Sequence, residues 1–236
     1  MYTTVELPAH RPAARGPRPP RRGTPLRRSG LGLLGLCLAA GSMAVIAQVI
    51  AHEDITRDRF QGVELIEVEV ETGTVELVAA EDGTTTVTTS RHWAYKAPST
   101  DDERDGSRLS LVAGCPDVER LSVVGVCEVD YQIAVPDGMR VEVTTEAGTV
   151  TGTDLRASRV DARSSAGDVR LAFATAPRAV TARSSAGDVR VSVPFGPYDV
   201  ETDTSAGDVD VDVVDDPRAT RLIDARSSAG DITVSP

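Results

Sequence analysis

Four aspartates recur at one place in a repeated motif: Asp168, Asp188, Asp208 and Asp231, each directly after a glycine. In stacked strands such residues lie about 4.8 Å apart. Like charges at that distance repel by about 0.9 kcal/mol in water, so something must relieve them. One solution is that each carboxylate accepts backbone amides at its own turn and stays solvated. The other is that the ladder, joined by Asp210, Asp212, Asp215 and Asp216, holds Ca²⁺ through oxygen ligands. The chain lacks the complete aspartate-rich nonapeptide of calcium-binding solenoids.

Arginines share the same registers. Arg163, Arg183, Asp203 and Arg226 form one set, and Arg170, Arg190 and Asp210 another. In sequence order the acidic third copy falls beside arginine, which suits a charge ladder guarding the outer strand faces. The functional counterpart is a charged strip for an envelope polymer. Ser164, Ser165 and their repeats are not catalytic candidates, because no copy differs from the others and no His lies in the repeats. His10, His52 and His92, with three Cys, are too scattered for a zinc cluster. Lys96 is the single lysine, and no residues compose a catalytic constellation or a cofactor site.

Cys115 and Cys127 flank the segment CPDVERLSVVGVC. They lack Cys-x-x-Cys spacing and a basic neighbourhood, so a structural disulfide is expected if this part lies in an oxidising compartment. His92-Trp93-x-Tyr95 is an aromatic cluster that fits either packing or a small binding patch.

The elements that carry these residues follow from the repeat. Segments 161–180, 181–200, 201–223 and 224–236 share the core S-A-G-D, with a more distant copy at Val141 and an echo around Gly73. Gly148, Gly167, Gly187, Gly207 and Gly230 mark the turns at spacings of 19, 20, 20 and 23. A period near 20 with no helical pattern specifies stacked β-coils. Val160, Ala162, Ser164 and Ala166, then Val169, Leu171 and Phe173, alternate as an inward set. Gly-Asp between the two runs is a turn. Residues 63–72, 84–93, 107–112 and 126–135 read as further strands, with 98–107 a polar loop. Residues 52–140 thus form N-terminal coils and a cap, and 141–236 the SSAGDV repeats. The last copy stops partway through a coil, so its sheet edge is expected to be unpaired and open to self-association.

The chain has 236 residues and a formal net charge of -11, unevenly spread. Residues 1–30 carry seven Arg, six Pro and one acid and are expected to be disordered. Residues 31–51 are uncharged, long enough at about 31 Å to span the hydrocarbon core. The basic flank places the N-terminus in the cytoplasm and the body outside the cell. Val45-x-Ala47 and Val49-x-Ala51 are passable cleavage sites, so the segment is either a single-pass anchor or a signal that releases a secreted protein. Residues 52–236 hold 18 basic and 35 acidic residues, which disfavours nucleic-acid binding.

The SSAGDVRV unit, the Cys-Pro…Cys-x-Val-Asp-Tyr stretch from Cys115 to Tyr131 and the Val-Pro-x-Gly step at Val135 together resemble one family. It is the bacterial putative-adhesin, β-strand-repeat domain family of unknown function, common in actinobacteria. The resemblance covers roughly residues 60–236. It implies an all-β solenoid in a cell-envelope setting and no catalytic residues. The expected function is therefore a non-catalytic envelope interaction with a polymer, a surface protein or another copy. The alternative is an accessory or sensor in envelope-stress signalling.

Overall fold

The computed structural model describes residues 52–116 and 127–236. The leader, 1–30, and the apolar segment, 31–51, lie outside the described residues. Among those described, no helix is long and apolar enough to cross a membrane.

Among the described residues, eighteen strands make up the body. The first seven are β1 (His52–Phe60), β2 (Leu65–Thr72), β3 (Val75–Ala79), β4 (Thr85–Trp93), β5 (Ser99–Asp105), β6 (Arg108–Gly114) and β7 (Cys127–Val135). The repeats supply β8 (Arg140–Ala147), β9 (Val150–Leu155), β10 (Arg159–Ala166), β11 (Val169–Phe173), β12 (Ala179–Ala186) and β13 (Val189–Ser192). They continue as β14 (Pro197–Thr204), β15 (Val209–Val211), β16 (Val214–Asp215), β17 (Leu222–Ala229) and β18 (Ile232–Ser235).

The strands form two nine-stranded sheets, one ordered β1-β4-β7-β3-β9-β11-β13-β18-β15 and the other β16-β14-β17-β12-β10-β8-β2-β6-β5. Each coil gives one strand to each sheet, and the coils stack in parallel register. Val141, Val160, Val180 and Ile223 line up in one column, and Val150, Val169, Val189 and Ile232 in the other. All eight are essentially fully buried. Burial of one such side chain stabilises by about 1.5–3 kcal/mol, but only when a neighbouring coil covers it.

The alternation holds through Ser164 and then breaks. Ala166, expected inside, is exposed like Ser165, because the backbone there is already turning the corner. The 98–107 segment also differs from its polar-loop reading: β5 pairs antiparallel with β6 as an exposed, charged edge strand. Pairing overrides its low β-propensity, and its charges guard the edge against further pairing. At the same end, β1 and β4 pair antiparallel and β4 pairs antiparallel with β7, covering that side of the other sheet.

Coil order departs from chain order at both ends. The coil β6–β7 stacks outside β2–β3, and β17–β18 stacks between β12–β13 and β14–β15. The final copy therefore has neighbours on both sides, contrary to the expectation of an unpaired edge there. The open edge belongs instead to the acidic copy, with β15 and β16 outermost. Its inward-facing Val209 is 45% exposed, whereas its register partner Ile232 is 1% exposed.

Candidate functional site

The serine, glycine and aspartate of the Ser-x-Ala-Gly-Asp corner each make contacts between coils. Gly73, Gly148, Gly167, Gly187, Gly230 and Gly207 form one column, each next to the carbonyl of its neighbour. At Gly187, with φ of +155°, a Cβ would fall 2.4 Å from the Gly167 oxygen. No side chain fits there, and the backbone conformation is one that L-residues rarely adopt. The inward hydroxyls bond the same column. Ser164 Oγ donates to the Gly148 oxygen at 2.9 Å, Ser184 to Gly167 at 2.8 Å, Ser227 to Gly187 at 2.9 Å, and Thr204 to Gly230 at 3.1 Å.

The aspartate column is relieved in a way the repeat alone did not reveal. Three of the four carboxylates accept the N–H of the aspartate in the next coil, not an amide of their own turn. Asp168 Oδ1 accepts from Asp188 at 2.7 Å, Asp188 from Asp231 at 3.0 Å, and Asp231 from Asp208 at 2.9 Å. Asp130 extends the pattern by accepting from Thr74 at 2.7 Å. The second oxygens of Asp168 and Asp188 meet Arg170 and Arg190, the latter at 2.9 Å. The Asp231 N–H, and after it Arg190, hold the Asp188 carboxyl below the usual carboxylate range. One oxygen each of Asp168, Asp188 and Asp231 thus aims along the stack, and the second oxygens of Asp168 and Asp188 aim at arginine. Among the described residues, no three His, Cys, Asp or Glu groups are arranged to hold a metal ion.

The arginine column corrects a second expectation. Coil order makes Arg163, Arg183 and Arg226 direct neighbours, with Asp203 outermost. Neutralisation comes from carboxylates in the column two positions upstream, on the same strand or the neighbouring one. Arg163 meets Asp161 at 2.6 Å, Arg183 meets Asp224 at 2.5 Å, and Arg226 meets Asp224 at 2.8 Å and Glu201 at 2.9 Å. Burial raises the Asp161 carboxyl, with Arg163 and Arg183 pulling the other way.

Cys115 and Cys127 are joined as a disulfide, with Cα atoms 6.0 Å apart. The bond clips β6 to β7 at the corner where the other coils use Gly-Asp. Trp93 of the aromatic cluster stacks on His52 across the β1–β4 pair, with ring centroids 5.6 Å apart.

The opposite corner carries residues that the repeat reading passed over. Arg140, Arg159 and Arg178 line an open cleft of about 540 Å³ with Val63, Ser158 and the turn Pro136–Met139. Arg140 and Arg159 are register partners on β8 and β10. Arg178 follows one coil on, its N–H donating to the Ser158 oxygen at 2.8 Å. The available signal was an arginine opening β8 and β10 and directly preceding β12, in MRV, SRV and PRAV, obscured by a one-residue offset.

No curated protein matches the sequence. Two crystal structures of low identity resemble the body. One is "a putative cell adhesion protein" from Clostridium sporogenes, 11% identical over 78% of this chain and 99% of that one, with a TM-score of 0.57. The other is "a putative adhesin" from Bacteroides fragilis, 13% identical over 77% and 96%, with a TM-score of 0.35. At its identity the first likeness establishes the fold alone. Residues 130–235, from β7 to the end of β18, match the Toastrack DUF4097 family, and this stretch holds every copy of the Gly-Asp corner.

Proposed function

We propose that this protein is a non-catalytic interaction module of the cell envelope. In this reading residues 31–51 form its single membrane span, residues 1–30 face the cytoplasm and the solenoid body lies outside. The observation that carries the reading is the use of the repeat's polar groups. Serine hydroxyls, glycine carbonyls and aspartate carboxylates are engaged in coil-to-coil bonds, so no copy presents a distinct reactive group. What the stack presents outward is a surface whose positions recur from coil to coil. Such a surface suits multivalent contact with an extended partner, where many weak contacts add. The likeness to a solved structure described as a cell adhesion protein supports the same reading, as does the disulfide, which persists outside the reducing cytosol.

The test is retention of the purified full chain, in neutral detergent, by isolated cell envelopes. Retention that survives deletion of residues 1–28, with a substitute anchor supplied in cells, is the expected result. Normal envelope retention with a cellular phenotype lost only on that deletion would transfer the function to a cytoplasmic contact, as in an accessory or sensor of envelope stress. No retention of the intact chain would overturn the interaction reading.

A further inference from the structure

The arginine columns on the repeat strands are neutralised, and the arginines at the opposite corner are not. Arg163, Arg170, Arg183, Arg190 and Arg226 each meet a carboxylate within ion-pair distance. Arg140, Arg159 and Arg178 meet none among the described residues, although they share one cleft. Arg140 and Arg159 are register partners, Arg178 sits one coil on with an offset of one residue, and neighbouring strands lie about 4.8 Å apart. Three arginines thus line one cleft in succession, none of them within ion-pair distance of a carboxylate among the described residues.

The surroundings hold this corner in place. Ser158 Oγ donates to the Gly138 oxygen at 2.7 Å and lies 3.2 Å from the Met139 oxygen. Gly138 N–H donates to the Arg156 oxygen at 2.9 Å, and Met139 N–H to Pro136 at 3.4 Å. Glu64 and Asp137 also line the cleft, and Asp137 lies 3.8 Å from Arg156. A guanidinium fork matches an oxyanion with two parallel donors, and two forks one coil apart bracket a tetrahedral oxyanion.

We propose that this cleft binds a linear polyanion carrying phosphate or sulfate groups, seated between successive arginines along the stack. The proposal rests on the interaction reading above and deepens it by naming the site and the ligand class. A single anion would gain little beside Glu64 and Asp137 on a body with excess negative charge. A polymer that places one anion per coil gains at each step, which is why the ligand must be multivalent.

The experiment is titration of the full chain in neutral detergent with long-chain polyphosphate and with dextran sulfate. Inorganic pyrophosphate and phosphatidylglycerol vesicles serve as the small-anion and lipid arms. The expected result is binding of one or both polymers, weakened by added salt. The triple variant R140Q/R159Q/R178Q should bind about tenfold or more weakly, having lost its charge-assisted contacts. The paired-face variant R163Q/R183Q/R226Q should stay within about twofold of the parent, because its carboxylates already occupy those groups. Matched thermal melts show that each variant is folded, and a variant that melts early is replaced by its Arg→Lys counterpart, which keeps charge but loses the fork. No binding of either polymer, equal loss in both triple variants, or binding confined to pyrophosphate or vesicles would overturn the proposal. Envelope retention separates the two levels. Retention that persists in R140Q/R159Q/R178Q overturns the cleft and leaves the interaction reading standing, whereas no retention of the parent chain overturns both.

Discussion

The Asp188 carboxylate accepts the backbone N–H of Asp231 at 3.0 Å across 43 residues of chain, although Asp208 is the next aspartate in sequence. This one bond records the interleaved order of the coils: the 224–236 copy stacks on Asp188, and the 201–223 copy stacks on it in turn. Hydrogen exchange resolved by residue reads this order. Amides of Gly230, Asp231 and Ile232, bonded to flanking coils, should exchange more slowly than those of β15 and β16 at the open edge. Faster exchange in β17–β18 than in β14–β15 would restore sequence order.

The inward hydroxyls and their exposed neighbours should separate cleanly. Ser184→Ala removes a buried donor from the Gly167 carbonyl and should cost about 1 kcal/mol in urea unfolding. Ser185→Ala, one residue on and exposed, should stay within about 0.5 kcal/mol. Equal effects would contradict the assignment of the hydroxyl column to coil stacking.

Much of this architecture was legible beforehand. The two-residue alternation specifies paired strands from Val141 onward, and the Gly-Asp beat specifies a corner from Gly167 onward. Coil order was not legible, for a physical reason. Ser184 meets a serine or threonine, and Ala186 an alanine, whichever copy follows, so local register is nearly degenerate between the two orders. The choice rests on differences spread over whole strands. The observed order buries Ile223 and Ile232 and leaves the smaller Val209 and its aspartate-rich strand at the solvent edge. The interval of 23 residues between Gly207 and Gly230 supplies chain for the return, a signal too small to interpret without the fold. The cleft arginines were missed because their column joins register partners to a residue one position offset.

Acid should act on two aspartates in opposite senses. The Asp188 carboxyl is lowered, chiefly by the Asp231 N–H and then by Arg190. Its contribution is therefore present above the unfolded value near ~3.9 and lost as pH falls through its lower folded value. Asp161 is raised, chiefly by burial, so its charge opposes folding at neutral pH until protonation at its raised value relieves it. Thermal melts between about pH 3 and 7 should show Asp188→Asn less stable than the parent at neutral pH, converging with it in acid. Asp161→Asn should be at least as stable at neutral pH. The reverse pairing would contradict these environments.

The disulfide closes β6 to β7 across a 12-residue separation. Loop-closure entropy predicts that the Cys115→Ser/Cys127→Ser variant loses about 3 kcal/mol. The loss should appear first as faster exchange in β6 and β7, the strands next to the missing bond. Unchanged stability would mean that the coil pairing alone holds this corner.

Protease shaving of intact cells, with the C-terminal repeats probed in cell and medium fractions, tests the envelope-surface account most directly. The account predicts cell-bound repeats that are lost on shaving without lysis. Repeats that resist the protease on intact cells and disappear only after lysis would place the body inside and contradict the envelope-surface function.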